Sequence, residues 1–373
     1  MSRDTPTSVE IDLGALRHNF QFLKKGIGAT KALVVVKSDA YGHGAVPVSR
    51  TLQSVGADLF GVGTVDEGVL LREAGIKKPI LVLLGLIEGK FSELLRYQLT
   101  PVLYDFAVAR SLHQYLEGRR ESLEVHIKVD TGMTRLGLLP EDLPGFLDEL
   151  SCFSTIKPVG LISHLADADN EEFSKQQALR FEKGRVEFEK RFPKPFCHIG
   201  NSLAALDKRY LNYDAVRLGI VLYGSYPVTR QRRQNQLKPV MQWKSRLVSI
   251  KKVPKGTPVS YLRSFTTRRA TRIGVVPVGY ADGYHRLLSN RAFVLVDGVR
   301  VPVAGTVCMD MFMVDLYNVP SARVGSEVVL LGNQGREVIT ADEVAKWAET
   351  IPYEITCQVA QRIPRSYIDS ERR

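Results

Sequence analysis

The stretch Val34-Val35-Val36-Lys37-Ser38-Asp39-Ala40-Tyr41-Gly42-His43-Gly44 holds the first group able to do covalent chemistry. Residues Lys31 to Val36 form an apolar, β-branched run, which predicts a buried strand with Lys37 at its carboxyl end. That end of a strand faces the barrel mouth or sheet crevice where α/β enzymes keep their chemistry. Partial desolvation there disfavours the ammonium, lowers the amine's pKa and makes it a candidate for imine formation with a carbonyl. The competing reading is a strand-end lysine reaching out to solvent. Further polar residues close other apolar runs. Lys128 and Asp130 end the run from Glu124, with Arg135 in the glycine-bearing loop beyond. His164 ends Pro158 to His164, Gly200-Asn201-Ser202 follows Pro195 to Ile199, and Arg217 lies in Ala215-Val216-Arg217-Leu218-Gly219-Ile220. Taken singly, each has an ordinary explanation: a structural histidine, an ion-pairing arginine, a turn glycine.

Taken together, these stretches resemble the alanine racemases. Val-Val-Lys-Ser-Asp-Ala-Tyr-Gly-His-Gly is similar to that family's pyridoxal-phosphate lysine motif. His126-Ile127-Lys128-Val129-Asp130-Thr131-Gly132-Met133-Thr134-Arg135-Leu136-Gly137 resembles a second block. Ser163-His164, Asn201-Ser202, 216–220, Val259-Ser260-Tyr261, 278–283, Gly305-Thr306-Val307-Cys308-Met309-Asp310 and Ile351-Pro352-Tyr353-Glu354 follow in family order. The resemblance implies racemisation between L-alanine and D-alanine, supplying D-alanine for peptidoglycan, with pyridoxal 5'-phosphate as cofactor.

The resemblance also assigns roles. Lys37 carries the cofactor and acts as one base; Tyr261, from the partner subunit of a homodimer, acts as the other. A free tyrosine has a pKa near 10 and is a poor base at neutral pH. Nearby positive charge favours its phenolate; the resemblance sets His164 against it, with Arg217 behind. It places Arg217 on the cofactor's ring nitrogen, where an arginine, unlike an acid, cannot supply a proton that it then shares with the ring. Asn201 and Ser202, the backbone of Gly219 and Ile220, and the phenols of Tyr41 and Tyr353 are implied to complete the cofactor site. Arg135 and the partner's Met309 backbone would hold the substrate carboxylate. Lys128, often carbamylated in relatives, would orient Arg135, and Asp310 would serve the partner's access route. Two positions depart from the family pattern: Leu262-Arg263-Ser264-Phe265 stands where glycine commonly follows the tyrosine, and Thr306 where arginine is common.

The elements that must position these residues read as a regular series. After Val9-Glu10-Ile11-Asp12, a short strand, Leu13 to Lys25 carries Leu16, Phe20 and Leu23 on one helical stripe. Apolar runs then alternate with helical patterns about every 25 residues, the spacing of a βα unit. Eight such steps over some 220 residues predict an α/β fold: an N-terminal (β/α)8 barrel of the TIM type. From about Lys238 the texture becomes alternating and β-rich, with Ser245 to Val253, Arg272 to Val278, Ala292 to Val303 and Glu327 to Leu331 as strand-forming runs. The expected division is a barrel over 12–236 and a mainly-β C-terminal domain over 237–373. Asn235 to Pro239 reads as the linker, and the resemblance adds that strand 1–11 packs on the β domain.

Bulk properties exclude several classes. The formal net charge is +11, yet the basic residues are dispersed apart from Arg230, Arg232 and Arg233. No aromatic residues interleave with that cluster and no nucleic-acid motif accompanies it, so it reads as a solvated loop. Four widely spaced cysteines, 152, 197, 308 and 357, offer no zinc or disulfide pattern and read as reduced thiols of a cytoplasmic protein. No signal-peptide core or membrane-length apolar run is seen, and no metal set is expected. Three rivals stay open at this level: a racemase of wider amino-acid range, a basic-amino-acid decarboxylase on a related fold, and a vitamin B6 carrier. The β domain with its Tyr261 argues against the carrier, which resembles the barrel half only.

Overall fold

A computed structural model describes residues 5–86, 89–207, 209–226 and 236–372. The cluster at Arg230, Arg232 and Arg233, and Asn235 of the expected linker, lie outside them. The strands in chain order begin with β1 (Ser8–Asp12), β2 (Lys31–Val35), β3 (Leu59–Val62), β4 (Ile80–Val82) and β5 (Thr100–Leu103). They continue with β6 (Leu123–Lys128), β7 (Ile156–Ile162), β8 (Phe196–His198) and β9 (Ala215–Leu218). Strands β2 to β9 form one parallel sheet in the order β8-β7-β6-β5-β4-β3-β2-β9. The Arg217 amide donates to Gly200 O at 3.0 Å, drawing the two edges into a nearly closed barrel. The strands are short and almost wholly buried, as parallel strands covered on both faces must be.

Helices return the chain between strands, and their ends follow local chemistry. Asp12 caps the helix Leu13–Ile27 by accepting from the amides of Gly14 and Ala15. Thr64 and Glu67 form a capping box at Val65–Glu73, and Gly75 ends that segment with φ +87°. No helix among the described residues is long and apolar enough to cross a membrane.

Beyond the barrel lies a mainly-β domain. β1 pairs antiparallel with β10 (Met241–Arg246) and parallel with Arg365–Ile368, so the first and last strands share one sheet. The run Ser245 to Val253, expected as one strand, is two. β10 ends at Arg246, and β11 (Ser249–Val253) joins a different sheet with Thr271–Val276 and Phe312–Asp315. The break comes at Leu247 and Val248, where Leu247 is buried and Val248 exposed. A β-rich run shows no signal for such a switch, because both halves satisfy strand alternation. The hairpin at Asp297-Gly298 joins Phe293–Val296 to Val299–Pro302. Arg365 ties the β domain to the barrel by donating from Nε to Gly42 O at 3.0 Å.

Candidate active site

Lys37 directly follows β2 and is half-buried. The next four residues, Ser38 to Tyr41, all have φ between 53° and 55°. This is one turn of left-handed backbone, a conformation that costs each non-glycine residue about 1–2 kcal/mol. Tertiary contacts hold it. Glu67 Oε1 accepts from Ser38 N at 2.7 Å, and Asp39 Oδ1 from Ala45 N at 2.7 Å. Gly42 lies at φ +83°, and a Cβ there would meet Thr356 O at 2.2 Å. The left-handed turn swings Tyr41 back beneath the barrel mouth, its ring 5.1 Å from Tyr223 and 5.8 Å from Tyr353.

Eleven of the residues singled out from the sequence line one cavity of about 480 Å³ at this mouth: Lys37, Tyr41, Lys128, Arg135, His164, Asn201, Ser202, Arg217, Gly219, Ile220 and Tyr353. Tyr261, Met309 and Asp310 do not line it. They lie on the β domain, with Tyr261 69% and Met309 55% exposed. Asp310 Oδ1 accepts from Arg362 at 3.0 Å, and the same arginine bonds Asp282 at 2.8 Å.

The Lys37 amine has its pKa lowered, first by burial and then by the nearby Arg135 charge. Burial, followed by repulsion from Arg217 and Arg135, pushes Lys128 down to about 8. Lys37, Lys128, Arg135 and Arg217 bring four cations to the cavity, whose wall also carries Asp167 and Asp169. The Asp130 carboxylate is committed to the loop instead, accepting from the amides of Gly132 and Met133 at 2.9 and 2.8 Å and from Arg135 at 3.2 Å.

Arg217 sits at the centre of the buried face. Its Nη1 donates to His198 Nδ1 and His198 O, both at 2.9 Å. Its Nη2 donates to Ser163 O and Ile199 O at 2.6 and 2.9 Å, and faces His164 Nδ1 at 3.1 Å. Burial draws its pKa down to about 9, yet it stays cationic at neutral pH. Because arginine has no acceptor, the His164 nitrogen facing it must carry a lone pair. Burial, then the Arg217 charge, holds His164 well below the usual histidine range. The positive charge in this corner therefore belongs to Arg217, and His164 is a neutral imidazole with its Nε2–H as donor.

Two residues beyond Arg217, the Gly219 amide donates to Ser202 Oγ at 2.8 Å. A Cβ on Gly219 would meet Tyr41 Oη at 2.7 Å. Only glycine lets hydroxyl, phenol and main chain converge there, at the start of the 3-10 turn Ile220–Tyr223. Burial raises the Tyr41 phenol far above its usual range and Tyr353 to about 12, so both remain donors. This donor-rich corner, a cavity-facing lysine and a buried cation suit a phosphorylated pyridine aldehyde in charge and shape.

Three supporting residues escaped the sequence reading. Glu67 pins the Lys37 turn, His198 bonds Arg217, and Tyr223 Oη donates to Val35 O at 3.1 Å beside Tyr41. His198 lies three residues before Asn201, which was the available signal.

Tyr261 opens the 3-10 turn Tyr261–Arg263, with φ +66° at Ser260, +60° at Leu262 and +52° at Arg263. Thr306 steadies it by donating from Oγ1 to Tyr261 O at 3.2 Å, while Ser264 Oγ lies 2.9 Å from the same hydroxyl. Ser260 Oγ donates to Thr306 O at 2.6 Å.

Fold and site together define a parallel barrel whose mouth holds a lysine amine among cations and phenols. Comparison with known proteins narrows the class. Residues 11–227 match the family described as alanine racemase, N-terminal domain, and 240–367 its C-terminal domain. An alanine racemase of Halothermothrix orenii is 43% identical over 366 residues, 97% of each chain. The crystal structure of alanine racemase from D-cycloserine-producing Streptomyces lavendulae superposes with a TM-score of 0.95 at 33% identity, covering 99% of this chain and 98% of that one. The alanine racemase of Bartonella henselae, a structure with covalently bound pyridoxal phosphate, superposes at 0.88 with 27% identity over 98% and 100%. This chain belongs to the alanine racemase family.

Proposed function

We propose that the chain, an enzyme that interconverts the two enantiomers of alanine, works with pyridoxal 5'-phosphate on Lys37 and with Tyr261 supplied by a second copy. The observation that carries this reading is the composition of the cavity. Among its described lining residues Lys37 would carry the cofactor and so lie beside the reacting carbon, which makes it, rather than Lys128, Asp167 or Asp169, the base on that face. Tyr41 and Tyr353 are held protonated, and His164 turns its lone pair to Arg217. Inverting a carbon centre calls for a proton removed from one face and one delivered to the other. Tyr261, exposed on the β domain, supplies the second group when another protomer's β domain covers the mouth, which makes the working unit a homodimer.

When bound, the cofactor supplies the electron sink that acidifies the substrate's Cα–H. The chain does the rest. Ser202, the Gly219 and Ile220 amides, Tyr41 and Tyr353 would hold the phosphate, with Asn201 beside them. Arg217 would donate to the ring nitrogen. Being unable to give up a proton there, it keeps that ring a modest sink and disfavours transamination. Arg135, with the partner copy's Met309 amide, would fix the substrate carboxylate. Lys37 Nζ takes or returns the proton on one face, and the Tyr261 phenol does so on the other. The His164 Nε2–H donates to that phenol's oxygen, so the Arg217 charge behind it favours the phenolate. Asp310, joined to Arg362, would shape the access route.

We divide the chain into a barrel over 12–236 and a β domain over 237–373, with β1 packing on the latter. The four free cysteines support a reducing, cytoplasmic setting, where the product would feed peptidoglycan synthesis. The test is Tyr261→Phe, followed by Cα deuterium exchange and chirality in heavy water. Racemisation should fall by about 10²–10⁴-fold in both directions while the protein keeps its bound chromophore. Undiminished racemisation in both directions sinks the two-base assignment. Comparable turnover of serine or lysine would show a wider substrate range.

A further inference from the structure

Arg217 reaches its cavity position through a chain of imidazoles that extends away from the site. His198 Nδ1 lies 2.9 Å from Arg217 Nη1. His126 Nδ1 lies 2.9 Å from His198 Nε2. All three side chains are buried. Their proton positions follow from donor and acceptor logic. A guanidinium has five N–H donors and no acceptor, so His198 Nδ1 must carry the lone pair. A neutral imidazole then has its proton on Nε2. That proton points at His126 Nδ1, which must in turn be the acceptor, leaving the His126 proton on Nε2. One arginine therefore dictates the tautomers of two histidines in series.

The fold makes room for this arrangement at a particular place. His126 on β6 pairs with Gly160 on β7, just after a register shift in that ladder. A Cβ on Gly160 would meet His126 Nδ1 at 2.4 Å and Cε1 at 2.5 Å. The backbone of Gly160 has no positive φ, so the glycine is explained by the imidazole lying over it, not by its own conformation. Burial also keeps both rings uncharged, drawing His126 to about 4 and His198 well below the usual range.

We propose that His126 is a positioning residue for the reaction: it accepts the His198 Nε2 proton, locks His198 as the tautomer that accepts from Arg217, and so fixes the guanidinium against the cofactor ring. Without an acceptor at position 126, His198 has a buried N–H with no partner. Turning the ring, or moving its proton, relieves that and removes the Arg217 acceptor. This inference rests on the reading that Arg217 faces the cofactor, but its central claim concerns the two imidazoles alone.

The test uses the holoenzyme labelled with ¹⁵N-histidine. Imidazole nitrogen shifts should show His198 and His126 both protonated on Nε2 only, and unchanged from about pH 6 to 9. In His126→Asn the side-chain oxygen replaces Nδ1 as acceptor, so the His198 tautomer, the cofactor absorbance and kcat should stay close to those of the parent. In His126→Leu the tautomer should become mixed, the cofactor absorbance should shift, and kcat should fall roughly tenfold with KM within about twofold. Gly160→Ala, which displaces the ring without removing it, should reproduce that pattern. It serves as the second handle if His126→Leu does not fold. A His198 protonated on Nδ1 in the parent overturns the proposal. So does a displaced or deleted His126 ring that leaves tautomer and absorbance unchanged. A parent protein without cofactor absorbance would instead defeat the cofactor reading and leave the tautomer result standing.

Discussion

Lys128 should react with carbon dioxide. It is 7% exposed, at the end of β6, and its surroundings push its pKa from 10.5 down to about 8. Only the neutral amine attacks carbon dioxide, and lowering the pKa enlarges that fraction. At pH 7 an ordinary lysine is neutral about once in 3,000 molecules, whereas one at about 8 is neutral about once in ten, a gain of roughly 300-fold. The product is an anion. It forms beside Arg217, Arg135 and Lys37, the same charges that disfavour the ammonium. Its oxygens would accept from Arg135, which is exposed and needs a fixed partner to hold the substrate carboxylate. The assay is ¹³C NMR of the protein equilibrated with ¹³C-bicarbonate. A carbamate resonance should grow as pH rises from about 6 to 8 at fixed dissolved carbon dioxide, and should vanish in Lys128→Ala. Removing carbon dioxide should raise KM for alanine more than it lowers kcat. The reasoning fails if no resonance appears over that range, or if it survives in Lys128→Ala.

Other perturbations probe the same geometry. Gly42→Ala places a Cβ 2.2 Å from Thr356 O at φ +83°. It should destabilise the protein by about 3 kcal/mol, read as a lower urea midpoint with an unchanged slope. Thr306→Val removes the hydroxyl that bonds Tyr261 O and Ser264 Oγ. It should lower kcat roughly tenfold while the cofactor absorbance stays the same, because only the Tyr261 turn loosens. Burial would raise the Asp130 carboxyl, but the backbone amides of Gly132, Thr134, Met133 and Arg135 outweigh that and leave its pKa lowered. Its contribution is therefore complete above the ordinary carboxylate value near 4 and fades as pH falls below it. The stability gap between the parent and Asp130→Asn should be full at neutral pH and close on acidification; a gap that widens would contradict the assignment.

Local sequence determined the barrel. Short β-branched runs ended by polar residues, each followed by a helical stripe, left little alternative to a parallel ring of strands, because such strands bury both faces and need helices to cover them. It also placed the chemistry, since a lysine, a histidine or an arginine just after an apolar run falls at the carboxyl end of a strand. Tertiary structure decided what neighbouring residues could not. Ser38 to Tyr41 contain no glycine or asparagine, and that turn of four residues exists because Glu67, Asp39 and the close pass of Thr356 over Gly42 stabilise it. The split of Ser245 to Val253 between two sheets was likewise invisible in its alternation. The same holds for protonation. Which imidazole nitrogen carries a proton, and which lysine is poised to lose one, depend on burial and on charges brought from β6, β7, β8 and β9. These are separated by tens of residues along the chain and by a few ångströms in the fold.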